Sequence, residues 1–366
     1  MNPIADVVAA GAFDFAILGT SPFAGLLAGL LATVHGKRVC IVGEPWSPYR
    51  LARGFDVSVM PTTRPETWAL LRKGGAETQK LFATLGKGLV ERVDPLFVAE
   101  RRLTADYLGH MRWVALGLGF AAERAIDRAA SPEGTICRVR DAAMLVSGRA
   151  EPAIETWLGK SGVPRISGEV TIAHRRDGSH ALSFGRHSAE AASVVLADDD
   201  AILAHLPAGD RHRLLVIAPA LSLLTEPAKP LPASLIHYLD RGVVLHQRAG
   251  KGPVSAIAAG DGESAPARLG ASLASLGRLR RAGQAAFRRV VTLDGAPLIA
   301  RMGKSRMTAI AGLGPSAAFL APAVARQLAG LAADDERAYF EAHDGSRPGA
   351  RAAVAELAAL APELQS

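Results

Sequence analysis

A long apolar stretch lies near the start of the chain, where no charged residue occurs between Phe15 and Val34. A membrane-spanning helix needs about 20 apolar residues, and this stretch has that length. The segment "GTSP" at 19–22 interrupts it after only a few residues, however. The residues before the break have the aromatic and aliphatic character of a buried strand, whereas those from Pro22 onward are small and apolar at helical spacing. Because proline is well accepted in a first helical turn, the pattern favours a strand and a helix over a membrane span.

A second buried strand is predicted after this helix. The segment "HGK" at 35–37 ends the helical pattern, and "RVCIV" at 38–42 is typical of a buried strand. Strand, tight turn, helix and strand in this order make a βαβ unit, in which the two strands are parallel.

The turn of this unit resembles a GxGxxG fingerprint, with Gly19, Ser21 and Ala24 at the three glycine positions. Pro22 opens the helix, whose N-terminus carries a partial positive charge that suits a phosphate. Glu44 follows the second strand, 20 residues after Ala24, where a carboxylate can accept both hydroxyls of an adenosine ribose and disfavours the 2′-phosphate of NADP. The unit predicts a dinucleotide site and leaves NAD and FAD both open.

Later segments alternate between strand and helix patterns. The sequence predicts a helix from about Glu151, a hairpin turning at Asp177 and Gly178, and a buried strand at 193–197. A further strand at 307–311 leads through a glycine turn into a helix from about Ser316. Amphipathic helices are predicted between the nucleotide segments.

Length and composition narrow the class of protein. A chain of 366 residues with 49% apolar residues suits two domains or one large fold. The net charge of +7 is diffuse, and its densest cluster, at 277–289, is predicted to be a solvated helix face rather than a nucleic-acid site. The two cysteines and the scattered histidines give no metal-ligand pattern, so no metal is expected. The first residues lack the basic start of a signal peptide, which makes a cytoplasmic location the expectation.

The order and spacing of these segments resemble the D-amino-acid-oxidase-type family of FAD-dependent oxidoreductases, which includes glycine and sarcosine oxidases. The segment "RVVTLDGAP" at 289–297 is similar to the family's "RPxTxDGxP", and "AGLGPSAAFLAPAVARQLA" at 311–329 is similar to its last flavin-binding segment. The segment "SVVLADDDA" at 193–201 stands where the family has "VVxAxGAW", and it keeps Ala197 but not the glycine and tryptophan that follow.

The resemblance implies an α/β fold in which a Rossmann-like FAD-binding domain is joined to a second, mostly antiparallel α+β substrate domain. The FAD-binding domain would combine 1–62, 140–204 and 290–335. The substrate domain would combine 63–139 and 205–289, and 336–366 would form a C-terminal helical extension. FAD is therefore the expected cofactor.

By the same resemblance, particular residues would contact FAD. Beyond Gly19, Ser21, Pro22, Ala24 and Glu44 of the βαβ unit, these are Val170 at the adenine, Ala197 near the diphosphate, Asp294 in the "DGxP" segment, and Gly312, Gly314, Ser316 and Ala317 at the flavin.

Two arginines are the candidate catalytic residues. Arg289 would anchor a substrate carboxylate, since arginine binds carboxylates in a bidentate manner, or it would pair with Asp294 instead. Arg53 would stabilise the reduced flavin, or would only neutralise the diphosphate or face water. Arg301 is a second candidate for this carboxylate anchor.

The activity implied is that of an FAD-dependent oxidoreductase that oxidises a C–N bond of an amine or amino acid by hydride transfer to flavin. Three acids at 198–200, a low-polarity "GLGPSAAF" segment and an aromatic content of only 5% depart from a simple amino-acid oxidase. Two alternatives stay open for this reason: a flavoprotein that oxidises a side chain of a partner protein, and a non-catalytic dinucleotide-binding module. An NAD dehydrogenase is a further alternative.

Overall fold

The computed structural model describes residues 12–45, 47, 49–211, 213–248, 252–260, 264–274, 277 and 279–347. Its strands, in chain order, are β1 (Ala12–Leu18), β2 (Val39–Val42), β3 (Val90–Val93), β4 (Leu96–Ala99), β5 (Ala122–Ala125), β6 (Thr135–Val139), β7 (Ala142–Leu145), β8 (Arg165–Ile166), β9 (Thr171–His174), β10 (His180–Phe184), β11 (His187–Leu196), β12 (Leu215–Pro227), β13 (Leu235–Tyr238), β14 (Val243–His246), β15 (Pro253–Ala259), β16 (Arg281–Thr292), β17 (Leu298–Arg301) and β18 (Thr308–Ala311). Its α-helices are α1 (Pro22–Thr33), α2 (Pro65–Leu85), α3 (Arg102–Gly117), α4 (Ser147–Lys160), α5 (Asp199–His205), α6 (Ser264–Leu273), α7 (Ala317–Ala329) and α8 (Asp334–Ala342).

The apolar stretch near the start of the chain forms the predicted βαβ unit. β1 and β2 pair in parallel, with Phe15 opposite Val39 and Leu18 opposite Val42. α1 crosses between them and buries Leu26, Leu27 and Leu31 in the core, so its apolar residues pack against protein. The prediction of a strand, a turn and a helix is therefore confirmed.

The first sheet has the strand order β17–β18–β11–β1–β2–β8, and β10 and β9 extend it from β11. The pairs from β18 to β8 are parallel, whereas β17, β10 and β9 join their neighbours antiparallel. Because β1 and β11 run in parallel side by side, the turns that follow Leu18 and Leu196 meet at one edge of the sheet.

The second sheet has the order β16–β12–β15–β14–β13–β4–β6–β5 and is antiparallel except for the pair β13–β4. A Rossmann-like sheet and a mostly antiparallel second sheet are the fold class expected from the sequence. The structure confirms this expectation.

Helix α2 packs tightly against helix α7, and both helices contribute to the same hydrophobic core beside the first sheet. A Cβ on Gly74 would lie 2.1 Å from the carbonyl oxygen of Phe319, and Leu70, Leu71 and Phe82 belong to the core that α1 also fills. The predicted domain boundaries give this helix to the substrate domain, although it packs on the nucleotide side. The boundaries remain a prediction, and residues 348–366 of the predicted C-terminal extension lie outside the described residues.

One sequence expectation is wrong in secondary structure. The basic stretch at 277–289 is predicted to be a helix face. From Arg281 onward, however, its residues belong to strand β16, which continues to Thr292. This strand pairs with β12 from Thr292 opposite Leu215 to Arg281 opposite Thr225, so a long ladder overrides the local helical propensity.

Within the described ranges, no single helix is both long and apolar enough to cross a membrane. One pair, Gly314–Ala329 with Asp334–Ala342, passes that test by length and composition only when the two helices are joined across a 94° bend.

Candidate functional site

The turn between β1 and α1 has room only for glycine at its first position. A Cβ on Gly19 would lie 2.8 Å from both the Cβ of Ala24 and Oδ2 of Asp198. The N–H of Gly19 donates to the carbonyl oxygen of Val42 at 2.9 Å, which ties the turn to the end of β2. The first fingerprint glycine thus has a steric reason, as a tight dinucleotide turn requires.

The N–H groups of Thr20 and Ser21, in the turn before α1, already have an acceptor within the chain. Oδ2 of Asp198 accepts hydrogen bonds from the N–H of Thr20 at 2.7 Å and of Ser21 at 3.1 Å. Ser21 caps the helix, and its Oγ accepts from the N–H of Ala24 at 3.3 Å. In a Rossmann fold, N–H groups at this place bind the cofactor diphosphate. Here a carboxylate of the protein binds them.

Asp198 reaches this turn because it follows β11, the strand beside β1. Its Oδ1 also accepts from the N–H of Ala201 at 2.9 Å and so caps α5. Burial raises the pKa of the Asp198 carboxyl, while the N–H donors of Ala201, Thr20 and Ser21 lower it. The carboxylate is therefore a half-buried group that three N–H donors hold in place.

A cavity of about 410 Å³ extends from this turn to the second sheet. Thr20, Ser21 and Pro22 line it at the turn, residues 312–315 line it farther along, and His237 of β13 lines it from the second sheet. The cavity thus joins the predicted dinucleotide turn, the predicted flavin-binding segment and the predicted substrate domain.

The segment 312–316 approaches the cavity with backbone. Gly312 and Gly314 have φ of 73° and 57°, and a Cβ on Gly312 would lie 3.0 Å from the carbonyl oxygen of Ala296. Ser316 is buried behind the turn, where its Oγ donates to the carbonyl oxygen of Val57 at 2.8 Å. Since α7 begins at Ala317, which lines the cavity, the partial positive charge of its N-terminus lies beside the cavity.

Arg50 and Arg53 share the carboxylate of Asp200 at the cavity wall. Nη2 of Arg50 and Nη1 of Arg53 lie 2.6 and 2.5 Å from Oδ2 of Asp200. Nη1 of Arg50 also donates to Oγ1 of Thr20 at 2.6 Å, and the guanidinium of Arg53 lies 5.4 Å from the ring centre of Phe287. Both arginines therefore stand near the dinucleotide turn, with one acid between them.

Arg289 lines the cavity from β16 and forms no ion pair within the part of the chain that the structure describes. Asp294 is not its partner, because Asp294 accepts from Nε and Nη2 of Arg347 at 2.6 and 3.0 Å. Burial lowers the pKa of Arg289, and the nearby negative charge of Asp199 opposes that shift. Burial raises the pKa of Asp199 to about 6, against the lowering effect of Arg289.

Two further carboxyl groups in the cavity were not singled out from the sequence. Burial raises the pKa of Asp56 to about 6, although the N–H of Ala318 lowers it. Burial, followed by the charge of Asp56, raises the pKa of Glu151 to about 8. Near pH 7 Glu151 is therefore mostly protonated and able to donate a hydrogen bond.

His237 brings a neutral imidazole to the second-sheet side of the cavity. Its ring packs on Phe97, with ring centres 5.1 Å apart, and neither ring nitrogen has a hydrogen-bond partner among the described residues. Burial lowers its pKa to about 4, so the ring is uncharged at neutral pH. Both ring nitrogens are therefore available to a ligand in the cavity. The sequence pattern does not single out His237, because this residue lies in the apolar strand "LIHY".

The predicted site residues divide into two groups. The cavity brings together Arg53, Arg289, Ser21, Pro22, Ala197, Gly312, Gly314 and Ala317. The remaining ones lie outside its lining: Gly19, Ala24, Glu44, Val170, Asp294 and Ser316.

Glu44 and Val170 lie near the end of β2, away from the cavity lining. Oε1 of Glu44 accepts from the N–H of Gly168 at 2.9 Å, whereas Val170 is buried in the core of the first sheet. The carboxylate of Glu44 is thus held by the loop before β9.

The residues present fit only part of FAD. The cavity and the open backbone at 312–315 suit a flavin ring. The turn after β1 does not suit the diphosphate while Asp198 holds its N–H groups, and Asp199 and Asp200 add negative charge at the same edge.

Known structures share this fold. No protein-family model matches the chain, and no curated protein sequence matches it. Iminodiacetate oxidase from Chelativorans sp. BNC1 has a TM-score of 0.65 at 18% identity, covering 87% of this chain and 94% of that one. L-Proline dehydrogenase from P. horikoshii has a TM-score of 0.72 at 14% identity, covering 92% and 98%. Glycine oxidase from Geobacillus kaustophilus has a TM-score of 0.65 at 16% identity, covering 89% and 95%. At these identities the likeness establishes the fold. This fold is the one that the family resemblance implied.

Proposed function

We propose that this chain is an FAD-dependent oxidoreductase that oxidises a C–N bond of an amine or amino acid. The observation that carries the proposal is the single cavity that joins the turn after β1, the glycine turn at 312–315 and the face of the second sheet. Structures of glycine oxidase, iminodiacetate oxidase and L-proline dehydrogenase share this fold, which supports the same class of reaction.

Bound FAD would supply the chemistry by accepting a hydride from the carbon beside the amine. The chain's own contribution is to hold the flavin and the substrate. The backbone of Gly312 and Gly314 would face the ring, and the N-terminus of α7 at Ala317 would stabilise negative charge on it.

The substrate would lie between this turn and the second sheet. Arg289 is a half-buried cation without an ion-pair partner among the described residues, so it can bind a substrate carboxylate. The neutral ring of His237 can accept a hydrogen bond from a substrate amine through one nitrogen. These two groups give an amino acid its orientation in the cavity.

Flavin retention is the direct test. The purified chain, as isolated and after incubation with FAD and gel filtration, should show the visible absorbance of oxidised flavin. A panel of amines and amino acids should bleach that absorbance without oxygen. If the chain neither retains flavin nor reduces added FAD with any amine of the panel, the proposal is wrong.

A matched pair of glycine variants locates the flavin. Gly312→Ala places a Cβ at a positive φ beside the cavity and should abolish flavin retention. Gly303→Ala likewise places one at a positive φ of 33° against packed protein, the backbone and carboxylate of Asp210, but it lies outside the cavity lining. That control should retain as much flavin as the unmodified chain.

A non-catalytic dinucleotide-binding module is the second candidate, and the contact between Asp198 and the turn favours it. Flavin that is retained but is not reduced by any amine would support this candidate over the first. Oxidation of a side chain in a partner protein remains the third hypothesis, tested by flavin reduction with protein substrates in place of free amines.

A further inference from the structure

We infer that the carboxylate of Asp198 is an internal competitor of the cofactor's diphosphate, so that the dinucleotide binds only when this side chain leaves the turn. The inference rests on the proposed function in so far as FAD is the dinucleotide considered. It concerns a different property, namely the affinity and selectivity of the turn for diphosphates.

The first step is to account for the donors at the start of α1. The N–H groups of Thr20 and Ser21 donate to Asp198. Pro22 has no N–H. The N–H of Ala24 donates to Oγ of Ser21, and that of Gly25 donates to the Ser21 carbonyl oxygen at 3.2 Å. The N–H of Phe23 has no acceptor among the described residues, so an incoming diphosphate would find the donors of Thr20 and Ser21 engaged and that of Phe23 open.

The second step concerns space. Oδ2 of Asp198 would lie 2.8 Å from a Cβ on Gly19, so the carboxylate is packed against the glycine of the fingerprint turn. In dinucleotide-binding turns the glycines let the pyrophosphate approach the backbone closely. The carboxylate and a phosphate group cannot both occupy this place.

The third step concerns charge. Asp199 and Asp200 on α5 also line the cavity near the turn. The cation that touches the turn, Arg50, is already bound to Asp200. A diphosphate placed beside an undisplaced Asp198 would add its charge to this group of acids, which disfavours binding further.

The consequence is a selective loss of affinity. The two displaced donors and the added repulsion weaken ligands that carry a diphosphate, such as FAD and ADP. Riboflavin has no phosphate and does not compete with Asp198. Removing the carboxylate should therefore strengthen FAD and ADP binding about tenfold or more and leave riboflavin binding unchanged.

The experiment titrates FAD, ADP and riboflavin into the full-length chain and three variants. Asp198→Ser removes the carboxylate and keeps a helix-capping hydroxyl. Asp198→Asn keeps the size and an acceptor oxygen, so it guards against misfolding of the serine variant. Asp210→Ser is the matched control, because Asp210 also accepts two backbone N–H groups, from Lys304 at 3.1 Å and Ser305 at 2.7 Å, but lies outside the cavity lining.

We expect both Asp198 variants to bind FAD and ADP more tightly than the unmodified chain, and the increase in affinity should be larger for Asp198→Ser. Asp210→Ser should bind them as the unmodified chain does. Thermal unfolding without ligand should show the Asp198→Ser variant less stable than the unmodified chain, because the turn loses its internal acceptor. If FAD and ADP bind the Asp198 variants no more tightly than the unmodified chain, the inference is wrong.

The two proposals fail in different ways. If no variant binds FAD or riboflavin but Asp198→Ser gains ADP affinity, the flavoenzyme proposal fails and the inference stands. If FAD binds all variants equally and amines reduce it, the inference fails and the flavoenzyme proposal stands.

Discussion

Glu336 is fully buried and forms a bidentate ion pair with Arg326, whose Nε lies 2.9 Å from Oε2 of Glu336 and whose Nη2 lies 2.6 Å from Oε1. Nζ of Lys73 donates to the same carboxylate at 2.8 Å. The three residues lie on α7, α8 and α2, so this cluster joins three helices at the back of the first sheet. Burial alone would raise the pKa of Glu336, but the hydrogen bonds from Arg326 and Lys73 outweigh it and lower the pKa to about 2.

The first prediction follows from this cluster. Glu336→Gln should lower the free energy of unfolding at pH 7 by about 3 kcal/mol, because the two cations lose a buried partner. A carboxyl group whose pKa is lowered on folding stabilises the protein above its ordinary pKa, here 4.5, and that contribution disappears as the pH falls from 4.5 towards 2. Urea denaturation at pH 7 and at intervals below pH 5 measures both effects.

Glu341→Gln on the same helix is the control for this prediction, since Glu341 is exposed. It should change stability by less than about 0.5 kcal/mol at any of these pH values. Equal losses in the two variants would show that the bidentate ion pair contributes no specific stability.

The second prediction concerns the packing of α2 on α7. Gly74→Ala should destabilise the chain by about 2 kcal/mol, because the new Cβ meets the backbone carbonyl oxygen of Phe319, and backbone cannot give way as a side chain can. Gly109→Ala, on α3, meets nothing within 4 Å and should instead stabilise by up to about 1 kcal/mol through helix propensity. Denaturant unfolding of both variants checks the sign, and a stable Gly74→Ala variant would contradict the close approach.

The third prediction separates stability from activity at His237. His237→Leu removes two buried unpaired polar atoms and should raise the free energy of unfolding by up to about 1 kcal/mol. If the ring contacts substrate, the same variant should raise KM about tenfold or more for an amine that reduces the flavin. His246→Leu is the control, because Nε2 of His246 is likewise unpaired in the described part of the chain but His246 does not line the cavity. An unchanged KM in His237→Leu would show that the ring only fills the core.

Local pattern was sufficient to predict the elements of the first sheet. The hairpin at Asp177 and Gly178 exists: β9 and β10 pair antiparallel around it, and Gly178 has the positive φ of 91° that such a turn uses. The strand predicted at 193–197 and the helix predicted from Glu151 are also present, although they begin earlier, at His187 and Ser147. Element boundaries depend on pairing and capping partners that a short window does not contain.

The chemistry of the site was harder to predict, because it depends on contacts between distant segments. The three acids at 198–200 were visible as a departure, but the sequence does not show that Asp198 binds Thr20, 178 residues away. Nor does the sequence show that Asp294 pairs with Arg347 and not with Arg289. His237 stayed hidden because an isolated histidine in an apolar strand is usually packed in the core.

The last prediction tests whether Arg289 anchors a carboxylate. Arg289→Lys keeps the charge but loses the fork, so KM for an amino acid should rise about tenfold or more, while KM for the matching amine without the carboxylate should stay unchanged. Arg301→Lys is the control, since Arg301 is exposed on β17, and it should leave both KM values as they are. Steady-state kinetics with the paired substrates measures the split. If Arg289→Lys weakens both substrates equally, the arginine acts through its attraction to Asp199, and the substrate carboxylate binds elsewhere.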